Sequence, residues 1–107
     1  MSKKKELQTV TTLVKLLLTN YTQARNSDSF LYLKVIESQA YDKGINLHKL
    51  NVIDFLSHSA ELGFAPFETV RRTRQKLQRE NPDLAASEAV QELRNDNEQA
   101  YREFARG

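Results

Sequence analysis

Apolar residues recur along this chain at steps of three and four, the spacing of a helix face. Between Glu6 and about Tyr21 the rhythm is carried by Leu7, Val10, Leu13, Val14, Leu17, Leu18 and Tyr21. Leu16 widens the stripe, so this first helix is expected to be buried on more than one side. Thr9, Thr11 and Thr12 weaken its front, because β-branched side chains lose rotamer freedom in a helix. Residues 22–27 read as a linker, and Ser27 and Asp28 both suit an N-cap. A second helix then runs to about Asp42, with Phe30, Leu31, Tyr32, Leu33, Val35, Ile36 and Ala40 covering most of its circumference, and Gly44 suits a left-handed stop. Residues 45–50 fit either a turn or a single helical turn.

Asn51, with Asp54 three residues on, is an imperfect capping box. Val52, Ile53, Phe55, Leu56 and Leu62 predict a third helix to about Glu61 or Leu62, ended by Gly63. Pro66 opens the next, PFETVRRTRQKLQRE, where a missing N–H costs nothing. Glu68 sits in its first turn, favoured by the helix dipole. Pro82 disfavours helical geometry at Asn81 and ends it. Last, Ser87 caps a helix over 87–105 in which Val90, Leu93, Asn97, Ala100, Tyr101 and Phe104 follow a seven-residue rhythm. Asn97 belongs either in that seam or at its solvated edge. The pattern predicts an all-α fold: a single compact domain of four to five helices, with a helix-turn-helix-like pair (52–62 packed on 66–80) and a C-terminal amphipathic helix. Leu13, Leu17, Leu33, Ile36, Phe55, Leu56, Val70 and Leu77 are the expected core.

Charge changes the picture in one place. The net charge is +2, from 16 basic and 14 acidic residues. Residues 1–65 carry eight basic and six acidic groups; 66–80 carry five and two; 81–107 carry three and six. The basic excess therefore peaks on the 66–80 helix. On a helical wheel Arg72, Lys76 and Arg79 lie opposite Phe67, Val70, Thr73 and Leu77, with Arg71 near the edge. Arg74 points toward the apolar side, where its stem packs and its head snorkels or pairs. Arg71, Arg72, Arg74, Lys76 and Arg79 are the candidate partner-binding residues. They make either a face for phosphates or the solvated side of an ordinary amphipathic helix. Lys3, Lys4 and Lys5 form a basic start over 1–5, expected to be frayed.

With no cysteine, thiolate catalysis, thiolate metal sites and disulfides are excluded. No apolar run reaches the ~18–20 residues of a membrane span, and no signal peptide is read at the start, so a cytoplasmic location in the host cell is expected. Three glycines, Gly44, Gly63 and Gly107, leave no phosphate-loop or dinucleotide-binding pattern. Asp54 and His58, four apart, are too few for a closed zinc site. No enzyme, cofactor or metal is expected.

Two segments carry a resemblance. Ala24 to Val35 reads ARNSDSFLYLKV, and Pro66, Glu68, Thr69, Val70, Arg71, Arg72, Arg74, Lys76, Leu77 and Gln78 spell P-x-E-T-V-R-R-x-R-x-K-L-Q. Together with a polar last helix ending in Tyr101 to Phe104, they resemble small proteins encoded by phages and prophages of Firmicutes. The resemblance implies one of two roles. The first is a DNA-binding or regulatory protein. The second is an inhibitor of a host defence system, such as an anti-CRISPR protein acting on an RNA-guided nuclease. Nucleic-acid-mimicking inhibitors are often strongly acidic, and this chain is not. The expected partners are nucleic acid or an acidic or RNA-bearing host protein, with no membrane, and a homodimer through 87–105 as a further possibility.

Overall fold

A computed structural model describes the backbone of residues 3–106 and the side chains of 9–100, 102 and 103. The described residues form six α-helices: α1 Lys3–Asn20, α2 Thr22–Asn26, α3 Asp28–Lys43, α4 Val52–His58, α5 Phe67–Glu80 and α6 Glu88–Arg106. Single 3-10 turns lie at Leu47–Lys49 and Pro82–Leu84. The all-α fold read from the periodicity is the one observed. α1 is helical from Lys3, inside the stretch expected to fray, while residues 1 and 2 lie outside the described residues. The 22–27 linker is instead a short helix, closed by Ser27 N–H donating to the Gln23 carbonyl at 3.0 Å.

The helix ends follow their capping chemistry. Ser27 Oγ accepts from the Phe30 N–H at 3.1 Å and Asn51 Oδ1 from the Asp54 N–H at 2.8 Å. Gly44 takes φ 69°, and the Ile45 N–H reaches back to the Ala40 carbonyl at 2.9 Å, a Schellman closure of α3. Pro66 sits just before α5 rather than as its first residue, with ψ at 146°.

The core has two parts. Val10, Val14, Leu17 and Leu18 of α1 meet Leu31 and Val35 of α3 and Val70 and Leu77 of α5, with Ala24, Ala65 and Leu84 closing the edges. A smaller cluster joins Ile36, Ala40 and Phe64, with Ile45, Leu47, Leu50, Phe55 and Leu62 packed around it. Leu17, Ile36, Val70 and Leu77 are buried as expected, and Leu13 and Phe55 are half-buried. Leu33 and Leu56 depart from expectation, at 51% and 72% exposed. α3 buries only the stripe through Leu31, Val35, Ile36 and Ala40, so Leu33 faces outward. α1 likewise leaves Leu16 exposed and is buried on one side.

The 52–62 helix stops at His58 and continues in turns to Gly63, whose φ of 83° suits glycine. α4 and α5 follow one another as in a helix-turn-helix, but α5 takes its packing from α1 and α3. The reason lies in the connection. Phe64 and Ala65 are buried, Tyr32 Oη donates to the Ala65 carbonyl at 2.8 Å, and the Ala65 N–H donates to Gln39 Oε1 at 2.9 Å. α3 therefore holds the connector, and α4 is left with Val52, Ile53 and Leu56 outward.

α6 leaves the body. Val90 and Arg94 are half-buried, while Leu93, Asn97 and Ala100 are exposed, which places Asn97 outside any seam within this chain. The side chains of Tyr101 and Phe104 lie outside the described residues. The radius of gyration, 15.3 Å, exceeds the ~13 Å of a close-packed chain of this length, as a protruding helix requires. Among the described residues no helix is long and apolar enough to cross a membrane.

Candidate functional site

α5 forms because its Glu, Arg, Lys, Gln and Leu residues favour a helix and Val70, Arg74 and Leu77 fall on one buried stripe, and its burial against α1 holds the remaining faces in fixed directions. The five basic residues singled out from the sequence separate into three groups. Arg74 does not face a partner: it is buried, and its guanidinium grips Asp28 with both oxygens, Nε to Oδ1 at 2.8 Å and Nη2 to Oδ2 at 3.0 Å. That corrects its assignment as a binding residue. An arginine on the apolar side of a helix stays charged, so it must carry its own carboxylate inward.

Arg71 and Arg72 share Glu68. Arg71 donates twice, through Nη2 at 2.6 Å and Nε at 3.0 Å, and Arg72 Nε donates to Oε1 at 3.1 Å. These hydrogen bonds and the two positive charges hold the Glu68 carboxyl down to about 2, against desolvation acting the other way. The same bonding raises the Arg71 guanidinium. The trio of two cations and one anion thus keeps one net positive charge. Lys76 and Arg79 form the third group: both are exposed, and neither side chain makes an ion pair or hydrogen bond to another described residue.

Arg74 is one member of a polar hub. Its Nη1 donates to Gln78 Oε1 at 3.3 Å, and Gln78 Nε2 donates to the carbonyls of Arg25 and Leu84 at 3.1 and 3.0 Å. Arg25 Nε donates to the Leu18 carbonyl at 2.7 Å, closing the end of α1. Asn26 Oδ1 accepts from the Ser87 N–H at 2.8 Å, fixing the start of α6. Arg94 of α6 donates to the Arg25 carbonyl at 3.2 Å and stands 3.8 Å from Asp28. One carboxylate thus serves two guanidinium groups, and Arg74 already uses both oxygens. Burial, then the charge of Arg74, lowers the Arg94 guanidinium, with Asp28 opposing. A positive charge is left over at this point.

That charge lies in a cleft of about 920 Å³ between α5 and α6. Arg71, Arg74, Arg79 and Arg94 line it against Asp28 and Glu98, four cations to two anions, and Gln75, Asn95 and Asn97 add amides. Glu98 is also bonded to Arg102 at 2.9 Å. Sequence reading missed Arg94, Gln75 and Asn95, because the cleft exists only once Asn26 and Arg94 fix the angle of α6. The one available signal was Arg74, whose inward direction demanded a carboxylate elsewhere in the chain.

A second surface is apolar. Tyr32, Leu33, Ile36, Leu50, Phe55 and Phe67 line a groove of about 470 Å³, with Val52, Ile53 and Leu56 exposed on α4. The Phe67 and Tyr32 rings meet edge to face at 5.2 Å. No group of three or more His, Cys, Asp or Glu side chains among the described residues is placed to hold a metal ion. Compared with known protein families, curated proteins and solved structures, the chain matches none.

Proposed function

We propose that this chain is a non-enzymatic nucleic-acid-binding module of the regulatory kind, with the outer side of α5 as its main contact. The observation that carries the reading is the row Arg72, Lys76 and Arg79. These are spaced four and three residues apart, exposed, and backed by the buried Val70 and Leu77. A stiff helix with cations at that spacing offers fixed charges to a phosphate backbone. The phage and prophage resemblance accords with such a role.

A salt series tests it. With about three phosphates neutralised, the slope of log affinity against log salt is expected near −3 on duplex and −2 on a single strand. Arg72→Ala combined with Lys76→Ala removes most of the binding and flattens the slope. Affinity and slope both unchanged in that variant reject the reading. Glu68→Gln has the opposite effect. It releases Arg71 and Arg72 from their shared carboxylate, so binding tightens at low salt and the slope steepens by about one phosphate. Fluorescence anisotropy at several salt concentrations reads both.

The apolar groove favours a second reading, a protein-binding inhibitor or adaptor that seats an apolar segment of a host protein. Capture from nuclease-treated lysate separates the two. Recovery of one protein that is lost on Phe67→Ala supports the second reading, and loss of all partners with nuclease supports the first.

A further inference from the structure

We propose that the cleft between α5 and α6 holds a segment of single-stranded nucleic acid, with α6 as the second jaw of a clamp whose first jaw is α5. The inference rests on the nucleic-acid reading above and names the form of the ligand. Three features meet there. Arg79 has no partner among the described residues, and Arg94 holds only a share of Asp28, so two cations face the same space. Gln75, Asn95 and Asn97 also line it, and none of these amides bonds to another described residue. The space is concave and about 920 Å³.

The shape selects the ligand. A duplex is convex and presents its base edges at the floor of a groove ~12 Å wide, which a protruding element enters and a cleft does not. An unpaired strand enters a cleft with its base edges free. Amides then pair with those edges through two hydrogen bonds at once, while guanidinium groups take phosphates or stack on bases. Among the described residues that line the cleft none is aromatic, so from these side chains the contacts offered are hydrogen bonds and guanidinium contact rather than the aromatic stacking of many single-strand binders. Asp28 is held by Arg74 through both oxygens and Glu98 is paired with Arg102, so each anion is already matched by a cation and the charge of Arg79 and Arg94 is the excess.

The test uses the full chain with short mixed-sequence oligonucleotides: one DNA strand, the same strand as RNA, and the matching DNA duplex. Either single strand is expected to bind roughly tenfold more tightly than the duplex. Asn95→Ala with Asn97→Ala, both exposed on α6, is expected to lower single-strand affinity severalfold while leaving the salt slope unchanged, since amides neutralise no phosphate. Arg79→Gln and Arg94→Gln are each expected to flatten the slope by about 0.7. Because Arg94 also helps seat α6, the asparagine pair and Arg79 keep the result interpretable if Arg94→Gln loosens the fold. Duplex bound as tightly as either strand overturns the clamp. So does an asparagine-pair variant of unchanged affinity. In both cases, continued loss of binding in the Arg72 and Lys76 variant leaves the nucleic-acid reading standing. Failure to bind any of the three oligonucleotides overturns both.

Discussion

Asp28→Ala is expected to destabilise the fold by about 3 kcal/mol, a drop in melting temperature of roughly 15 °C, because it strands the buried Arg74 guanidinium. Arg74 is 7% exposed at its side chain and Asp28 23%, so the pair sits in a partly dry environment. Removing one member of such a pair costs more than the pair contributes, since the remaining charge loses both solvent and partner. The partial exposure of Asp28 sets the figure at the lower end of the usual range. Replacing both, Asp28→Leu with Arg74→Met, is expected to recover much of the loss, because apolar residues of similar volume tolerate the same site. Glu68→Gln on the same helix is expected to leave the melt nearly unchanged, since that carboxylate sits on the surface beside Arg71 and Arg72. Urea unfolding of the four proteins checks the series. A wild-type midpoint in Asp28→Ala would show that α5 is held by its apolar face alone.

The hub gives a physical account of the two segments singled out in the sequence, ARNSDSFLYLKV and the α5 motif. In ARNSDSF, Ala24 is fully buried, Arg25 closes α1, Asn26 holds the start of α6, Ser27 caps α3 and Asp28 locks α5. In the α5 segment, Val70, Arg74 and Leu77 face inward and Gln78 ties α2 to the Pro82–Leu84 turn. Most positions of these two segments therefore serve to join the helices. The proposed partner surface would use the positions between, Arg72, Lys76 and Arg79, together with residues of α6.

That division explains what could be read from the chain alone. Helix positions were legible because periodicity and caps are local: Ser27, Gly44 and Asn51 each do what their side chain or φ preference dictates. The basic row on α5 was legible for the same reason. The cleft was not, since it depends on the angle of α6, set by Asn26 and Arg94 across 61 and 69 residues of sequence. The packing partner of α5 was hidden too. Short spacing after Gly63 suggested α4, whereas the buried Phe64 and Ala65 let α3 claim the connector.

Core membership gives the sharpest contrast between pattern and packing. Leu31→Ala is expected to cost about 3–4 kcal/mol, while Leu33→Ala and Leu56→Ala each stay within about 0.5 kcal/mol of wild type. All three leucines lie on apolar-rich helices, and periodicity placed Leu33 and Leu56 inside. Leu31 is fully buried, in the same cluster as Val14, Leu18 and Val70, so truncation leaves a cavity where α1, α3 and α5 meet. A domain of this size has a total stability of only about 5–15 kcal/mol, so the loss is a large fraction of the whole. Leu33 borders the apolar groove and Leu56 lies beside it, so their truncation exposes no new surface in the isolated chain. Their effect should appear instead in any partner that seats in the groove. Three urea curves with equal slopes and one displaced midpoint are the expected result. Comparable displacement in Leu56→Ala would mean that α4 is covered in solution, as a groove already occupied by a second copy of the chain requires.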